Sequence, residues 1–485
     1  MGTKFINSQD AISTDLLLWN ERPTQVSIQE TYNIKVWPIT NILNDGPINF
    51  NVPPQPKGMM TDINVVTKLK IQDNGQDLTV SQSEFSVVNN FANSLWGLVN
   101  VKVDDRMDLM QSMRNSYAYQ TFFNHALNSE SSHQDYLFYN ELFKMDEGET
   151  KQECERDTVF WKYNDAFDSA MESLITAASV PTAEVAAKKV ELKKIMTVWW
   201  KKTPRNRAAA DRIKRLNWGR GAIVNAKLQC PLLNTAKCLP TNMKIRISLT
   251  KNSDEFLLLA SADSKYSIFI EDIYLDVTYY RPRDQILQII EDRLQKDAAP
   301  YFVSRPEIII KPITHSSRII RLTDVFHDKM PSYAFFCLQK SSDLEGKLTT
   351  NPFIFVPFKK FQFYVNGSPY FTNSLELGSI YNTGHCYEFG EYLRQLYRTI
   401  GKDLKGDCLV NSKNFPLNFI VAISFGADRS STAENHLNLQ EKASTYLEID
   451  MGINATIPED LILITYAVFD RQVQIDGDRK VTIIE

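Results

Sequence analysis

Apolar and polar positions alternate along several short stretches of this chain. Lys244-Ile245-Arg246-Ile247-Ser248-Leu249 puts every second side chain on one face, the period of a half-buried β-strand. Runs rich in Val, Ile, Phe and Tyr recur at Asp62–Ile71, Leu98–Val103, Met243–Leu249, Ile268–Tyr280, Tyr333–Gln339, Phe361–Val365, Leu417–Phe425 and Leu461–Asp470. Each predicts a strand. Turn signals lie at Asn44-Asp45-Gly46-Pro47, Asp73-Asn74-Gly75, Asn366-Gly367-Ser368-Pro369 and Asp476-Gly477-Asp478. Two stretches, Tyr117–Leu127 and Cys386–Ile400, change period. Their apolar positions (Tyr119, Phe122, Phe123; Tyr392, Leu396, Tyr397) recur at three or four residues. That spacing predicts helices with a core-facing stripe, packed on a sandwich wall, rather than a ligand box.

These elements occur twice in the same order. Asp62–Ile71, Leu98–Val103 and the helix Tyr117–Leu127 have counterparts in Tyr333–Gln339, Phe361–Val365 and Cys386–Ile400. The closing pair Met243–Leu249 and Ile268–Tyr280 aligns with Leu417–Phe425 and Leu461–Asp470. A repeat of about half the chain means two similar domains, not a solenoid. Half-buried strands of this kind pair off as two packed antiparallel sheets per half. The expected division is an N-terminal arm 1–25, a first sandwich 26–280, a linker 281–306, a second sandwich 307–475 and a tail 476–485. The linker opens Arg281-Pro282-Arg283 and carries an amphipathic helix, Gln285–Leu294. The first sandwich carries an insertion of about 128–217.

Composition adds three constraints. With 485 residues and 43% hydrophobic content, each half is able to bury its own core. The net charge of −4 is not that of a chain that coats nucleic acid. The charge is uneven, however. Asp146–Asp157 holds six acids against Lys151 and Arg156, whereas Lys188–Arg220 holds twelve Lys and Arg against Glu191 and Asp211. That second segment is +10, which leaves −14 for the rest of the chain. The six cysteines form no CxxC pair, so reduced thiols in an intracellular compartment are expected. Cys230 and Cys238 span a proline-rich turn and read as buried thiols. No run of 18 apolar residues predicts a membrane helix. The N-terminus lacks an apolar signal region, and Ile6 stands where myristoylation wants Ser or Thr. The sequons at Asn366 and Asn454 read as chance.

No catalytic or cofactor pattern emerges. None of His125, His133, His315, His327, His385 and His436 sits in a zinc-binding spacing, and GxSxG, GxGxxG and GxxxxGK[ST] are all missing. Gly426-Ala427-Asp428-Arg429-Ser430 reads as a loop. The expectation is therefore no catalytic residue, no metal and no cofactor. The basic insertion is the one open chemistry. Trp199, Trp200, Lys201, Lys202, Arg205, Arg207, Arg212, Lys214 and Arg215 mix cations with indoles. Such a mixture grips phosphates and stacks bases, or docks on an acidic neighbour and buries Trp at an interface. A solvated helical face is the third reading. Because the chain holds its own acids at 146–157, a clasp within the loop or between subunits needs no outside partner.

Five segments, in order, resemble the hexon-like capsid proteins of Maverick/Polinton elements and adintoviruses. They are Leu17-Leu18-Trp19 with Pro23–Ile28, Asp45–Pro53 (DGPINFNVP), Arg246–Phe256 (RISLTKNSDEF), Asn351-Pro352-Phe353 before Phe363–Gly367, and Tyr466–Asp470 with Ile475–Val481. The resemblance implies an all-β-dominated fold: two tandem eight-stranded antiparallel jelly rolls with helical insertions in loops, of the adenovirus hexon lineage. It implies a non-enzymatic major capsid protein that trimerises into pseudo-hexameric capsomers of an icosahedral shell. That shell would enclose double-stranded DNA without binding a specific sequence. Implied partners are the chain itself, a single jelly-roll penton protein and cement proteins. The implied location is the virion, after nuclear or cytoplasmic assembly. The basic insertion is larger than the family leads one to expect, so its role does not carry over. Two alternatives remain: a double-sandwich receptor- or carbohydrate-binding protein (spike- or lectin-like), and a capsid gene retained by a host. The first needs a concave polar and aromatic site, of which the sequence shows no cluster.

Overall fold

A computed structural model describes residues 24–42, 46–78, 85–103, 107–146, 207–216, 221–260, 264–313, 318–326, 329–376, 390–402, 407–426, 442–452 and 460–484. In the first half, the strand Tyr266–Pro282 lies between Ile28–Val36 and Met59–Asp73, and Ala222–Lys227 adds to the far edge of Met59–Asp73. The facing sheet runs Ile48–Val52, Ile245–Lys251, Trp96–Val103, Met107–Gln111. Every pairing is antiparallel. Counting these eight strands along the chain, the two sheets read 1-8-3-6 and 2-7-4-5, the strand order of a jelly roll.

The second half repeats that order. One sheet runs Ala299–Pro312, Leu461–Ile475, Tyr333–Lys340, Val421–Ser424, and the other Ile319–Thr323, Thr445–Asp450, Lys360–Val365, Ser368–Pro369. Again the orders are 1-8-3-6 and 2-7-4-5. The fold is thus a double jelly roll of tandem antiparallel sandwiches, as expected from the strand pattern and the resemblance. One sequence-level alignment was a strand out. Leu417–Phe425 contains the sixth strand, Val421–Ser424, so its counterpart is Ala222–Lys227 rather than Met243–Leu249. The true seventh strand is Thr445–Asp450. Its six residues alternate buried and half-buried and carry Glu448 and Asp450, a weak apolar signal.

The segment 281–306 divides into the end of a strand, a helix at Asp284–Leu294 and the start of Ala299–Pro312. Ala299 already pairs with Ile475, so the pairing of the second sandwich starts ahead of residue 307. Past the turn at residues 476–480, Val481–Ile484 folds back onto Gln472–Ile475.

Both sandwich interiors belong to one continuous apolar cluster, running from Val36, Ile63 and Trp96 in the first half to Phe336, Phe361 and Ile464 in the second. Burial therefore does not stop at the boundary between halves. The helix Ser116–Asn128 carries it across.

Candidate functional site

The site with the densest chemistry is the junction of the two sandwiches. Ser116–Asn128 leaves the fifth strand of the first sandwich and lies against the second. Tyr117, Tyr119, Phe122, Phe123, Ala126 and Leu127 are all at most 1% exposed. A helix buried over nearly all of its length, with only Asn124 and Asn128 open, is an interior helix rather than an amphipathic surface one. Phe122 stacks on Phe353 at 4.6 Å and Phe123 on Phe355 at 5.7 Å, both rings from the second sandwich. Phe123 also meets Tyr466 at 5.5 Å. Such pairs contribute about 0.5–1.5 kcal/mol each beyond their buried area. The stripe foreseen in sequence thus faces outward onto a second domain as well as inward.

Polar bonds register this helix along its length. At its start, Asn115 Nδ2 donates to Leu344 O at 2.7 Å. In the middle, the Tyr119 hydroxyl lies 2.9 Å from Gln339 Oε1 and 3.1 Å from Pro352 O. Near its end, Leu409 N donates to Ala126 O at 3.0 Å. Burial pushes the Tyr119 phenol well above its usual value, with the bond to Gln339 opposing, so it stays a neutral donor. Gly346 completes the contact. Its φ is +97°, and a Cβ there would come 2.7 Å from the Phe256 backbone of the first sandwich. Only glycine fits both conditions.

Beneath the helix lies a buried polar cluster. His125 Nε2 is 3.0 Å from Glu141 Oε2, and Asn93 Nδ2 donates to the same oxygen at 2.9 Å. Glu141 O also accepts from Ala92 N. His125 is thus a buried, satisfied core histidine. The other described histidine, His133, accepts from Glu130 N through Nδ1. His315, His327, His385 and His436 lie outside the described residues. Among the described residues, no three His, Cys, Asp or Glu side chains are grouped to hold a metal ion, and no helix is long and apolar enough to cross a membrane.

The basic insertion is rooted here too. Arg207, Arg212, Lys214 and Arg215 fall on the helix Arg207–Leu216. Trp199, Trp200, Lys201, Lys202 and Arg205 lie outside the described residues. The Arg212 side chain is 2% exposed. Its guanidinium donates to Asp146 Oδ1 at 2.5 Å, to Lys144 O at 2.8 Å and to Val87 O at 3.2 Å. The other Asp146 oxygen accepts from Asn351 of the second sandwich at 2.9 Å. Lys144 Nζ reaches Asp211 at 2.8 Å. One acid of the 146–157 stretch therefore clasps one base of the 188–220 stretch within the chain, and the clasp continues into the other sandwich. Sequence composition showed the complementary charges. It held no sign that Asn351 closes the circuit.

A second lock sits behind the linker helix. Arg479 donates to both Glu291 oxygens at 2.7 and 2.6 Å, and to Thr241 O at 2.7 Å. Thr241 Oγ1 donates to Glu291 at 2.6 Å. Burial pushes the Glu291 carboxyl up, but the bonds from Arg479 and Thr241 prevail and hold it below its usual value. The residue after the second sandwich's last long strand is thereby tied to the linker and the first sandwich. Of the two neighbouring thiols, Cys230 is buried and pushed up to about 11 by that burial, while Cys238 is only partly covered.

No protein-family model matches the chain, and neither does any curated protein sequence. Solved structures do. A chain of the Sputnik virophage superposes with a TM-score of 0.57 at 11% identity, over 99% of this chain and 93% of that one. The major capsid protein of mavirus gives 0.53 at 8% identity, over 100% and 96%. The PBCV-1 protein VP54, fitted into a Sputnik reconstruction, gives 0.50 at 10% identity, over 96% and 99%. At such identities the likeness establishes the fold. It extends across both sandwiches and the junction between them.

Proposed function

We propose that this chain is a major capsid protein, a structural subunit and not an enzyme. The observation that carries the reading is the pair of jelly rolls of the same strand order packed together across a buried helix, a fold matched end to end by the mavirus major capsid protein. Three copies would close a ring of six sandwiches, a pseudo-hexagonal tile. A cyclic trimer repeats one heterologous contact until it closes, so it makes tiles rather than fibres. Tiles then meet edge to edge in an icosahedral shell around double-stranded DNA, with a single jelly-roll penton protein at the vertices and cement proteins between. The order of five sequence segments supports the Maverick/Polinton–adintovirus group within this class. The insertion would clasp neighbouring subunits with Trp199, Trp200, Lys201, Lys202 and Arg205. Arg212 is already committed to Asp146.

Light scattering after size exclusion, with negative-stain images of the same peak, tests this. The expected species has three times the 55.7 kDa mass of one chain and a hexagonal outline. A monomer or dimer that never tiles would refute the capsid reading.

A further inference from the structure

A cleft of about 640 Å³ opens between the edge strand Ala222–Lys227 of the first sandwich and the edge strand Ala299–Pro312 of the second, with the junction helix at its floor. Its volume is that of a small-ligand site. Three polar groups on its walls have no hydrogen-bond partner among the described residues. Gln120 as a residue is 9% exposed and Tyr466 4%. Tyr333 stands beside it on the neighbouring strand, and burial raises the pKa of both phenols. None of the three is a fully buried unsatisfied group, so the amide and the two hydroxyls face the cleft and stay available to a ligand. Gln229 adds to the wall. Its Oε1 accepts from Asn124 at 3.1 Å and from Asn234 at 2.9 Å. At the rim Phe302 is 54% exposed.

Among the lining residues the one cation, Lys227, is paired with Asp62, and at the rim Lys237 Nζ lies over one side of the Phe302 ring at 5.6 Å. The second-sandwich edge carries Pro300, Pro306 and Pro312, which offer no backbone N–H to an added strand. Carboxamides, phenol hydroxyls and a partly exposed aromatic ring, with the lining cation paired and without a free ladder, match the hydroxyls and apolar ring face of a sugar. We propose that this cleft binds a short neutral saccharide. Gln120, Tyr333 and Tyr466 would bond its hydroxyls, and Phe302 would stack on one ring. The inference stands apart from shell formation. It gives the chain a recognition site made only when the two sandwiches are docked.

The test uses the full-length protein and saturation-transfer NMR with maltotriose, cellotriose, mannotriose and diacetylchitobiose, with 3′-sialyllactose as the charged contrast. The expected result is transfer to at least one neutral sugar. Phe302→Ala, at an exposed position, and Tyr333→Phe, which removes a single hydroxyl, should each weaken that binding tenfold or more with unchanged unfolding curves. Failure of all four neutral sugars to bind would overturn the proposal. So would equal affinity in both variants, or preference for sialyllactose. Binding of an extended peptide library in place of sugars would reassign the cleft to peptide capture and equally overturn it.

Discussion

The two helices that follow the fifth strand of each sandwich occupy the same place in the same topology, yet they behave as opposites. Ser116–Asn128 has Asn124 and Asn128 as its only residues with substantial exposure, and it joins two domains. Gly390–Thr399 buries only Tyr392, Leu396 and Thr399, one stripe at i, i+4 and i+7, and leaves Glu391, Arg394 and Arg398 in solvent. The sheets that receive them differ in step. In the second sandwich, Leu461–Phe469 is buried at nine successive positions, because one face meets its own core and the other meets the first helix. In the first, Tyr266–Pro282 alternates, with Glu271, Tyr274, Asp276 and Thr278 pointing away from the core. A strand covered on both faces loses its period of two, and a helix covered on all faces loses its polar side. The difference teaches that the chain closes one sandwich-to-sandwich contact with its first helix and leaves the polar side of its second helix exposed.

The largest effect should come from the closed contact. Phe122→Ala removes a ring stacked on Phe353 and in contact with Phe143 and Phe355. A cost of about 3–5 kcal/mol is expected, read by denaturant unfolding. The equivalent truncation at half-buried Leu393 should cost distinctly less. Equal costs would erase the contrast between the helices.

Arg212→Met follows. It takes the guanidinium away from the buried Asp146 carboxylate, which keeps its bond from Asn351, and stranding one member of a buried pair costs about 3–5 kcal/mol at most. Arg212→Met with Asp146→Asn should recover much of that loss, because the amide oxygen still accepts from Asn351. Thermal unfolding of the single and double variants decides whether the charge itself or only the bond to Asn351 matters.

The contrast was only partly legible in the sequence. Leu461–Asp470 stood out because its unbroken apolar run needs no knowledge of what covers it, and Tyr117–Leu127 announced a helix through its aromatic spacing. Short strands such as Met107–Gln111 and Ile319–Thr323 were missed, since five residues with charges among them resemble loop. The junction was invisible for a different reason. Tyr119 and Gln339, or Asp146 and Asn351, are more than two hundred positions apart, and nothing in local composition pairs them. Nor could the amide-lined cleft be seen, because its lining comes from five separate segments.

The tail lock gives a smaller and pH-dependent effect. Arg479→Ala should cost about 1–3 kcal/mol by freeing Glu291 and Thr241. Folding holds the Glu291 carboxyl below its unfolded value. Its contribution is therefore present above that value, about 4.3, and fades as pH falls through the lower folded value. Melting temperatures across this acid range should fall less steeply for Glu291→Gln than for the parent. Parallel curves would show that the lock does not hold the two sandwiches together.

The smallest change in stability should come from the open helix, and it sharpens the comparison most. Arg394 is exposed, so Arg394→Glu should shift unfolding by no more than about 0.5 kcal/mol. Ring closure tells a different story. The first helix of a chain packs on the outer face of the second sandwich's sheet. In the ring proposed above, the second helix of one chain would face the outer sheet of the next chain's first sandwich, where Asp276 lies and Glu271 is paired with Lys68 and Lys70. A reversed charge at Arg394 then repels that surface and should lower the trimer fraction in light scattering while leaving the melting curve of the dissociated chain in place. If the trimer persists unchanged, the exposed side of the second helix is not covered by a neighbour. The asymmetry between the helices would then belong to the single chain alone.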